Sequence, residues 1–302
     1  MVDDARILIA QHAQTAQLMG VDFLPLGTIP ESMVQSAPVP AQEPVQDAGH
    51  DSAPNAGKQV RAQPEFKSTA NSRGKSKTQP EAQGVTGLED SPPIGASELR
   101  ASYEHADGQG AQLDALLAKY ELEAPHKAFG SSFNKIVFGE GDPNADLMFI
   151  GEAPGADEDK VGKPFVGRAG QLLEKMIVAM GFSRESVYIC NVLKTRPDGN
   201  ATPTSHESAV CAPYLYEQIR IVQPRVIVTL GLPASHLLLQ SNKPMRALRG
   251  NWHDLHTLDG EKQGSTQIMP TYHPAYLLRS YTQANRQAVW SDLQQVVSKL
   301  GA

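Results

Sequence analysis

The sequence has few cysteines and no long apolar run. Its 302 residues include two cysteines, Cys190 and Cys211, which are too few for a disulfide framework or for a site of four thiolates. A reducing, cytoplasmic setting is therefore expected. No stretch has the roughly 20 apolar residues that a membrane-spanning helix needs, and acidic Asp3 and Asp4 stand where a signal peptide would be basic. We expect no membrane association.

The chain also lacks a strongly basic surface. Its net charge is −6, but residues 1–125 contain 9 Lys or Arg against 17 Asp or Glu, whereas residues 126–302 contain 18 against 16. The second half is thus close to neutral, and a nonspecific coat on nucleic acid is excluded because that function needs many phosphate contacts. Any contact with nucleic acid must be local.

Composition divides the chain into three parts. Residues 1–30 contain a short apolar pattern typical of a helix, and residues 31–96 are rich in Ala, Pro, Gln and Ser. Such a linker buries too little apolar surface to offset its ordering entropy, so we predict disorder. The first segment either docks on the folded domain or binds a partner protein in a groove, and both alternatives remain open. Residues 97–302 are predicted to form the domain, with its core at 133–300.

Strands and helices alternate through the domain. Four short apolar runs are predicted as strands, and the helical patterns between them suit βαβ units. The runs are Leu147–Ile150, Val187–Asn191, Val226–Leu230 and Gln267–Thr271. We therefore predict an α/β fold with three αβα layers around a four-stranded parallel sheet. Ligands of such sheets bind beyond the carboxyl ends of the strands, so the functional residues are expected in the segments that follow each strand.

The loop after the first run is rich in glycine. It reads Gly-Glu-Ala-Pro-Gly from Gly151, and Phe165 follows between Pro164 and Val166. Neither the Walker spacing nor the Rossmann glycine fingerprint is present. The loop is either a solvated surface loop or a ligand loop in which Phe165 stacks on a base.

Two further strand ends carry polar side chains. Asn191 closes the second run, with Lys194 and Arg196 just beyond it, and His273 follows the fourth run before Pro274. The amide of an asparagine combines donors and an acceptor, which suits the edge of a nucleobase. The alternatives are a turn-forming asparagine and a histidine buried for packing.

These motifs together resemble the uracil-DNA glycosylases, specifically their thermophile-type iron–sulfur branch, family 4. The resemblance covers nearly all of 133–300 and includes Val-Phe-Gly-Glu-Gly-Asp-Pro from Val137, Leu-Arg-Gly from Leu248 and His-Pro-Ala-Tyr-Leu-Leu-Arg from His273. It implies an enzyme of base excision repair that hydrolyses the N-glycosidic bond of deoxyuridine in DNA. The enzyme would flip the nucleotide, release uracil and leave an abasic site.

The resemblance also implies roles for the site residues. His273 would stabilise negative charge on the uracil O2, Asn191 would read the base, and Phe165 would stack on it. Gly151 and Ala153 would line the uracil pocket. Because Ala153 stands where other branches have a water-activating carboxylate, Glu152 is the predicted group that positions a water, with Asp157 and Asp159 as alternatives.

On the DNA side, Leu277 is the predicted wedge that fills the space left by the flipped base, the alternative being helix packing. Arg279 is expected on a phosphate, and Lys194 and Arg196 are expected to contact DNA as well.

The cofactor expected for this chain differs from that of the iron–sulfur branch. Its cluster cysteines correspond to Ala124, Lys127, Thr195 and Cys211, of which only the last is a cysteine. One thiolate cannot hold a [4Fe–4S] cluster, so we expect no cluster, no catalytic metal and no nucleotide cofactor.

One alternative function remains open, and a second is excluded by the sequence. The domain is alternatively a catalytically decayed module that binds nucleic acid or recruits partners. A glycosylase that traps its product covalently is set aside, because the loop from Lys194 to Asn200 lacks the histidine-bearing insertion of that type.

Overall fold

A computed structural model describes residues 96–129, 132–258 and 262–301. The predictions made for residues 1–95 lie outside these ranges. None of the helices within them is long and apolar enough to cross a lipid bilayer.

The described residues form an α/β fold around one six-stranded sheet. The strands are β1 (Glu140–Gly141), β2 (Leu147–Gly151), β3 (Tyr188–Asn191), β4 (Val226–Leu230), β5 (His253–His256) and β6 (Lys262–Thr271). The helices are α1 (Ala96–Ala101), α2 (Gly108–Glu123), α3 (Ala156–Val161), α4 (Arg168–Ala179), α5 (Ser205–Val222), α6 (Leu232–Leu239), α7 (Met245–Leu248), α8 (Pro274–Arg279) and α9 (Gln283–Leu300). Short 3₁₀ turns cover Pro125–Phe129, Arg184–Ser186 and Asp198–Asn200.

The sheet order is β1-β3-β2-β4-β6-β5. The four inner strands are parallel, which confirms the four predicted runs. The prediction missed the two edge strands, which are antiparallel to their neighbours. β1 has two residues and β5 is mostly half-buried, so neither has the continuous apolar run by which a buried parallel strand is recognised.

Alternating residues of the inner strands enter separate cores on the two faces of the sheet. Met148 and Ile150 pack with α1, α2 and α5, whereas Leu147 and Phe149 pack with α4 and α9. Side chains of a strand point alternately to opposite faces, so both faces of β2 are covered and all five of its residues are buried. The predicted three-layer arrangement is confirmed.

The helical pattern expected from residue 97 onward is two helices. α1 ends at Ala101, and α2 begins at Gly108, whose φ of 83° is one that a side chain disfavours. α2 ends at Glu123, with Ala124 as its C-cap before Pro125, because a proline cannot continue the backbone hydrogen bonding of a helix.

Candidate functional site

A cavity of about 390 Å³ lies beyond the carboxyl ends of β2, β3 and β6. Its walls come from the loops that follow β2 and β3 and from the first turn of α8. Six of the predicted site residues line it: Glu152, Ala153, Phe165, Asn191, His273 and Arg279. The structure therefore brings together residues from three loops that are far apart in the sequence.

Gly151, the last residue of β2, forms the floor beneath two of these side chains. A Cβ at this position would collide with Asn191 Oδ1 and with the Phe165 ring. The lack of a side chain at Gly151 allows the asparagine and the phenylalanine to meet over the strand end.

The backbone of Phe165 is held in an unusual conformation. Its φ of 51° lies in the left-handed region, and a Cβ on Gly170 would overlap the Phe165 carbonyl. Arg184 Nη1 donates to that carbonyl at 3.2 Å, while Arg184 Nη2 lies 2.9 Å from Glu140 Oε2. These contacts from outside the cavity fix the ring, which is 5% exposed. A strained residue held in this way is typical of a ligand site.

Asn191 presents an unsatisfied polar group to the cavity. The residue is 1% exposed, and its Oδ1 has no hydrogen-bond partner among the described residues. Its backbone carbonyl accepts from Lys194 Nζ at 2.6 Å. Because a buried polar group without a partner costs about 1–3 kcal/mol, the free amide oxygen indicates that a ligand supplies the partner.

His273 is the N-cap of α8. Ala275 N donates to its Nδ1 at 3.0 Å, so the neutral ring carries its proton on Nε2. Burial, and to a smaller extent the nearby charge of Arg279, lowers the pKa of His273 to about 4. The imidazole is therefore neutral at pH 7, and its Nε2–H is a donor available to a ligand. Its ring lies 5.6 Å from the Phe165 ring, centroid to centroid.

The end of β6 is anchored to α9, two residues before His273. Thr271 Oγ1 donates to Asp292 Oδ2 at 2.6 Å, and Arg249 Nε donates to the same oxygen at 3.0 Å. Asp292 is fully buried. Burial raises the pKa of Asp292, while the bonds from Thr271 and Arg249 oppose that rise. This buried ion pair fixes the strand from which His273 extends.

Glu152 lies in the wall of the cavity, half-buried. Burial raises the pKa of Glu152 above its ordinary value, while a hydrogen bond with Thr202 and the charge of Arg279 oppose that rise. A carboxylate whose pKa is shifted toward neutrality is suited to accepting a proton from water.

The other two carboxylates considered for this role lie elsewhere. Asp159 is buried and accepts from Asn134 N at 2.8 Å, and Asp157 is exposed on α3. Neither lines the cavity. Glu158 does line it, but its Oε1 accepts from Val166 N and Gly167 N at 2.9 Å each and so secures the loop.

Two residues predicted to contact DNA are buried, and those predictions are wrong. Lys194 is 0% exposed, because its ammonium turns inward to the Asn191 carbonyl and to Gln218 Oε1. Leu277 is also 0% exposed and packs in the core between α4 and α9. The alternative of helix packing therefore holds for Leu277, and its neighbour Leu278 is 37% exposed.

The remaining two cations lie at the surface of the site. Arg279 is exposed and lines the cavity, and Arg196 donates from Nε to Asn200 Oδ1 at 2.8 Å. The sequence analysis did not identify Thr202, although the Ala-Thr-Pro-Thr stretch before α5 indicates a loop with hydroxyl groups at this position. It also missed Arg184, which no motif marks, because its partners, the Phe165 carbonyl and the Glu140 carboxylate, are distant from it in the sequence.

Comparisons with known proteins agree with this geometry. Residues 138–294 match the sequence model of the uracil DNA glycosylase superfamily. A type-4 uracil-DNA glycosylase of Thermotoga maritima is 43% identical over 164 residues, which are 54% of this chain and 82% of the relative. Type-4 enzymes of Saccharolobus solfataricus and Sulfurisphaera tokodaii are 41% and 39% identical, over 55% and 53% of this chain and 76% and 72% of those relatives.

The expectation that the protein has no cofactor is contradicted by these comparisons. The similar proteins are type-4 enzymes, which form the iron–sulfur family. Similarity to this branch implies a cluster, whereas the expectation rested on the cysteine count of this chain alone.

At three of the four positions that correspond to the family's cysteines, this chain has a different residue. Ala124 is the C-cap of α2, Thr195 is buried with its hydroxyl unpaired among the described residues, and the Cys211 thiol faces the Tyr120 hydroxyl. Within the described ranges, no group of three or more His, Cys, Asp or Glu side chains could hold a metal ion. These residues do not fit a four-cysteine cluster.

Proposed function

Since the chain belongs to the uracil-DNA glycosylase superfamily and is a glycosylase, we propose that it hydrolyses the N-glycosidic bond of deoxyuridine in DNA. The products are free uracil and an abasic site. The observation that carries this proposal is the buried Asn191 amide, whose free oxygen faces a cavity bounded by Phe165 and His273. The comparisons do not support the alternative of a catalytically decayed module.

Asn191 distinguishes uracil from cytosine by the pattern of donors and acceptors. Uracil presents a donor at N3 and an acceptor at O4, which pair with the amide oxygen and the amide nitrogen. Cytosine presents an acceptor at N3 and a donor at N4, so one orientation of the amide cannot satisfy both bases. Lys194 Nζ donates to the Asn191 carbonyl and so fixes the backbone from which the amide extends.

His273 stabilises the departing base. When the glycosidic bond breaks, the sugar becomes oxocarbenium-like and negative charge develops on uracil. The Nε2–H of the neutral ring donates to the uracil O2, as the donors of an oxyanion hole do. The Nδ1 bond from Ala275 N fixes both the tautomer and the orientation of the ring.

Glu152 orients the water that attacks the sugar. Its carboxylate accepts a proton from this water as the new bond to C1′ forms. The bond between C1′ and N1 of uracil breaks with its electron pair on the base. Arg279 contributes a positive charge at the mouth of the cavity, where a phosphate of the flipped nucleotide passes.

The reaction is tested with oligonucleotides that carry one uracil, one cytosine or one thymine at the same position, in single and double strands. Abasic sites are measured after alkaline cleavage. We expect cleavage only at uracil. An absence of abasic sites with uracil, or equal release of thymine, would contradict the proposal.

Replacing Gly151 with alanine is expected to abolish uracil release while the domain stays folded. The added Cβ displaces the ends of the Asn191 and Phe165 side chains, which are the two groups that read and stack on the base. Release kinetics and thermal unfolding check this. Gly110→Ala provides a control on α2, where the new atom meets only Pro143 Cγ, at an ordinary contact distance of 3.6 Å, and it should retain the wild-type rate. A fully active Gly151→Ala enzyme would show that the base does not contact those two residues.

We propose Leu278 as the wedge that fills the space left by the flipped base. It is exposed next to Arg279, whereas Leu277 points into the core. Leu278→Ala is expected to lower kcat/KM on duplex DNA about tenfold and to change it less on single strands, since flipping from an unpaired strand costs less.

Leu277→Ala is the matched variant for that prediction. Because the side chain is fully buried, its truncation is expected to lower the free energy of unfolding by about 2–5 kcal/mol. Its effect on kcat/KM should be equal for both kinds of DNA. If Leu277→Ala, rather than Leu278→Ala, lowers kcat/KM selectively on duplex DNA, the wedge is Leu277 instead.

A further inference from the structure

A second, larger cavity adjoins the uracil cavity. Its volume is about 730 Å³, within the range of small-ligand sites. Four residues line both cavities: Glu152, Thr202, His273 and Arg279. The two spaces therefore share a wall that includes the catalytic groups.

The second cavity differs from the first in its lining. Phe165 and Asn191 do not line it, and its lining includes instead Leu232 of α6, Met245 of α7 and Tyr276 of α8. Tyr276 is 36% exposed and Leu232 is 38% exposed. Large apolar side chains that remain accessible in a concave site indicate an apolar occupant.

Tyr276 presents a fixed aromatic face to this space. Its ring lies 4.9 Å from the Tyr272 ring, centroid to centroid, and the two planes are 34° apart. Arg249 in turn lies 5.6 Å from the centroid of the Tyr272 ring. An aromatic ring fixed on one side by packing is a suitable platform for stacking of a base.

The substrate supplies a base next to this platform. When deoxyuridine occupies the uracil cavity, each neighbouring nucleotide is tethered to it by one phosphodiester. Arg279 lies in the shared wall, where the linking phosphate would pass between the two cavities. This continuity favours a neighbouring nucleotide over an unrelated ligand.

We propose that the second cavity binds the base of one nucleotide adjacent to the flipped deoxyuridine, stacked on Tyr276. This inference rests on the proposed function and extends it to a second subsite. A single strand, whose bases are free to leave their neighbours, fills the subsite more readily than a duplex does. The protein therefore recognises a dinucleotide rather than an isolated uracil.

The test uses single-stranded oligonucleotides with one uracil, in which the neighbouring base on the 5′ side or the 3′ side is replaced by a tetrahydrofuran spacer. In the wild type, one of the two spacers is expected to raise KM about fivefold or more, as loss of one stacked base does, with kcat within about twofold. Tyr276→Ala is expected to raise KM similarly on the intact oligonucleotide. In this variant the spacer should cause no further rise in KM.

Two variants control this result. Tyr276→Phe retains the ring and should keep the wild-type response to the spacer. Tyr281→Ala removes a tyrosine of similar exposure, 46%, that does not line the cavity, and it should also respond as the wild type does. Neither variant should raise KM on the intact oligonucleotide.

The inference is overturned if neither spacer changes KM by more than about twofold, or if Tyr276→Ala still responds fully to the spacer. Its failure differs from that of the proposed function. If uracil is released at an unchanged rate from every substrate, only the proposal of a second subsite fails. If no substrate releases uracil, the proposed glycosylase reaction itself fails.

Discussion

His273→Ala is expected to lower kcat for uracil release by about 10²–10³-fold, the usual effect of losing one donor of an oxyanion hole. The effect should fall on kcat more than on KM, because the Nε2–H bond strengthens as charge develops on the base. Single-turnover release from a uracil oligonucleotide measures the chemical step directly.

The protonation state of His273 gives a second check. Since its pKa is lowered to about 4, kcat should show no inflection near pH 6.5 from this residue. Between about pH 4 and 6.5 the unfolded chain binds more protons than the folded one. This histidine therefore lowers the free energy of unfolding as the pH decreases through that window. His273→Ala should lose that slope. An inflection of kcat near 6.5 that disappears in the variant would show that the ring acts as a cation instead.

Glu152→Gln is expected to lower kcat by about 10²-fold or more, since the amide cannot accept a proton from the attacking water. Burial raises the pKa of Glu152, so the wild-type kcat should rise with pH through a value above 4.5 as the carboxylate forms. The variant should lose this acid limb. The pH profile of single-turnover release separates this role from a loss of folding.

Asp157→Asn is the control for Glu152. Asp157 is exposed on α3, close in sequence to Glu152, and does not line the cavity, so its amide variant should keep both the rate and the acid limb. If Glu152→Gln retains the wild-type rate, water is activated by another group and Glu152 serves only to shape the wall.

The sequence was most informative where burial was complete. Runs such as Val226–Leu230 are apolar on both faces because helices cover both sides of the sheet, so they could be recognised from composition alone. β5 could not be recognised in this way. His253–His256 contains two histidines and an aspartate, and it pairs with β6 at the edge of the sheet. Its sequence therefore lacks the apolar pattern of a strand, and its extended conformation depends on pairing with β6.

The site was predictable in its positions but not in the direction of each side chain. Strand ends placed Asn191 and His273 at one edge of the sheet, because parallel strands end on the same side. The expectation that Lys194 contacts DNA rests on its place just beyond the second run, and that for Leu277 rests on the family resemblance. Lys194 turns inward because Gln218, distant in sequence, offers an acceptor, and the choice between two adjacent leucines depends on the helix face that meets α4 and α9.

The anchor of Asp292 on β6 has a consequence for synthesis of the protein. A chain emerges from the ribosome with its N-terminal part first, and Gly151, Phe165 and Asn191 precede His273. The end of the strand that leads to His273 is further anchored by Asp292 of α9. The groups that read the base are therefore translated ahead of the group that promotes its departure. A nascent chain that ends before Asp292 lacks the anchor of its catalytic histidine.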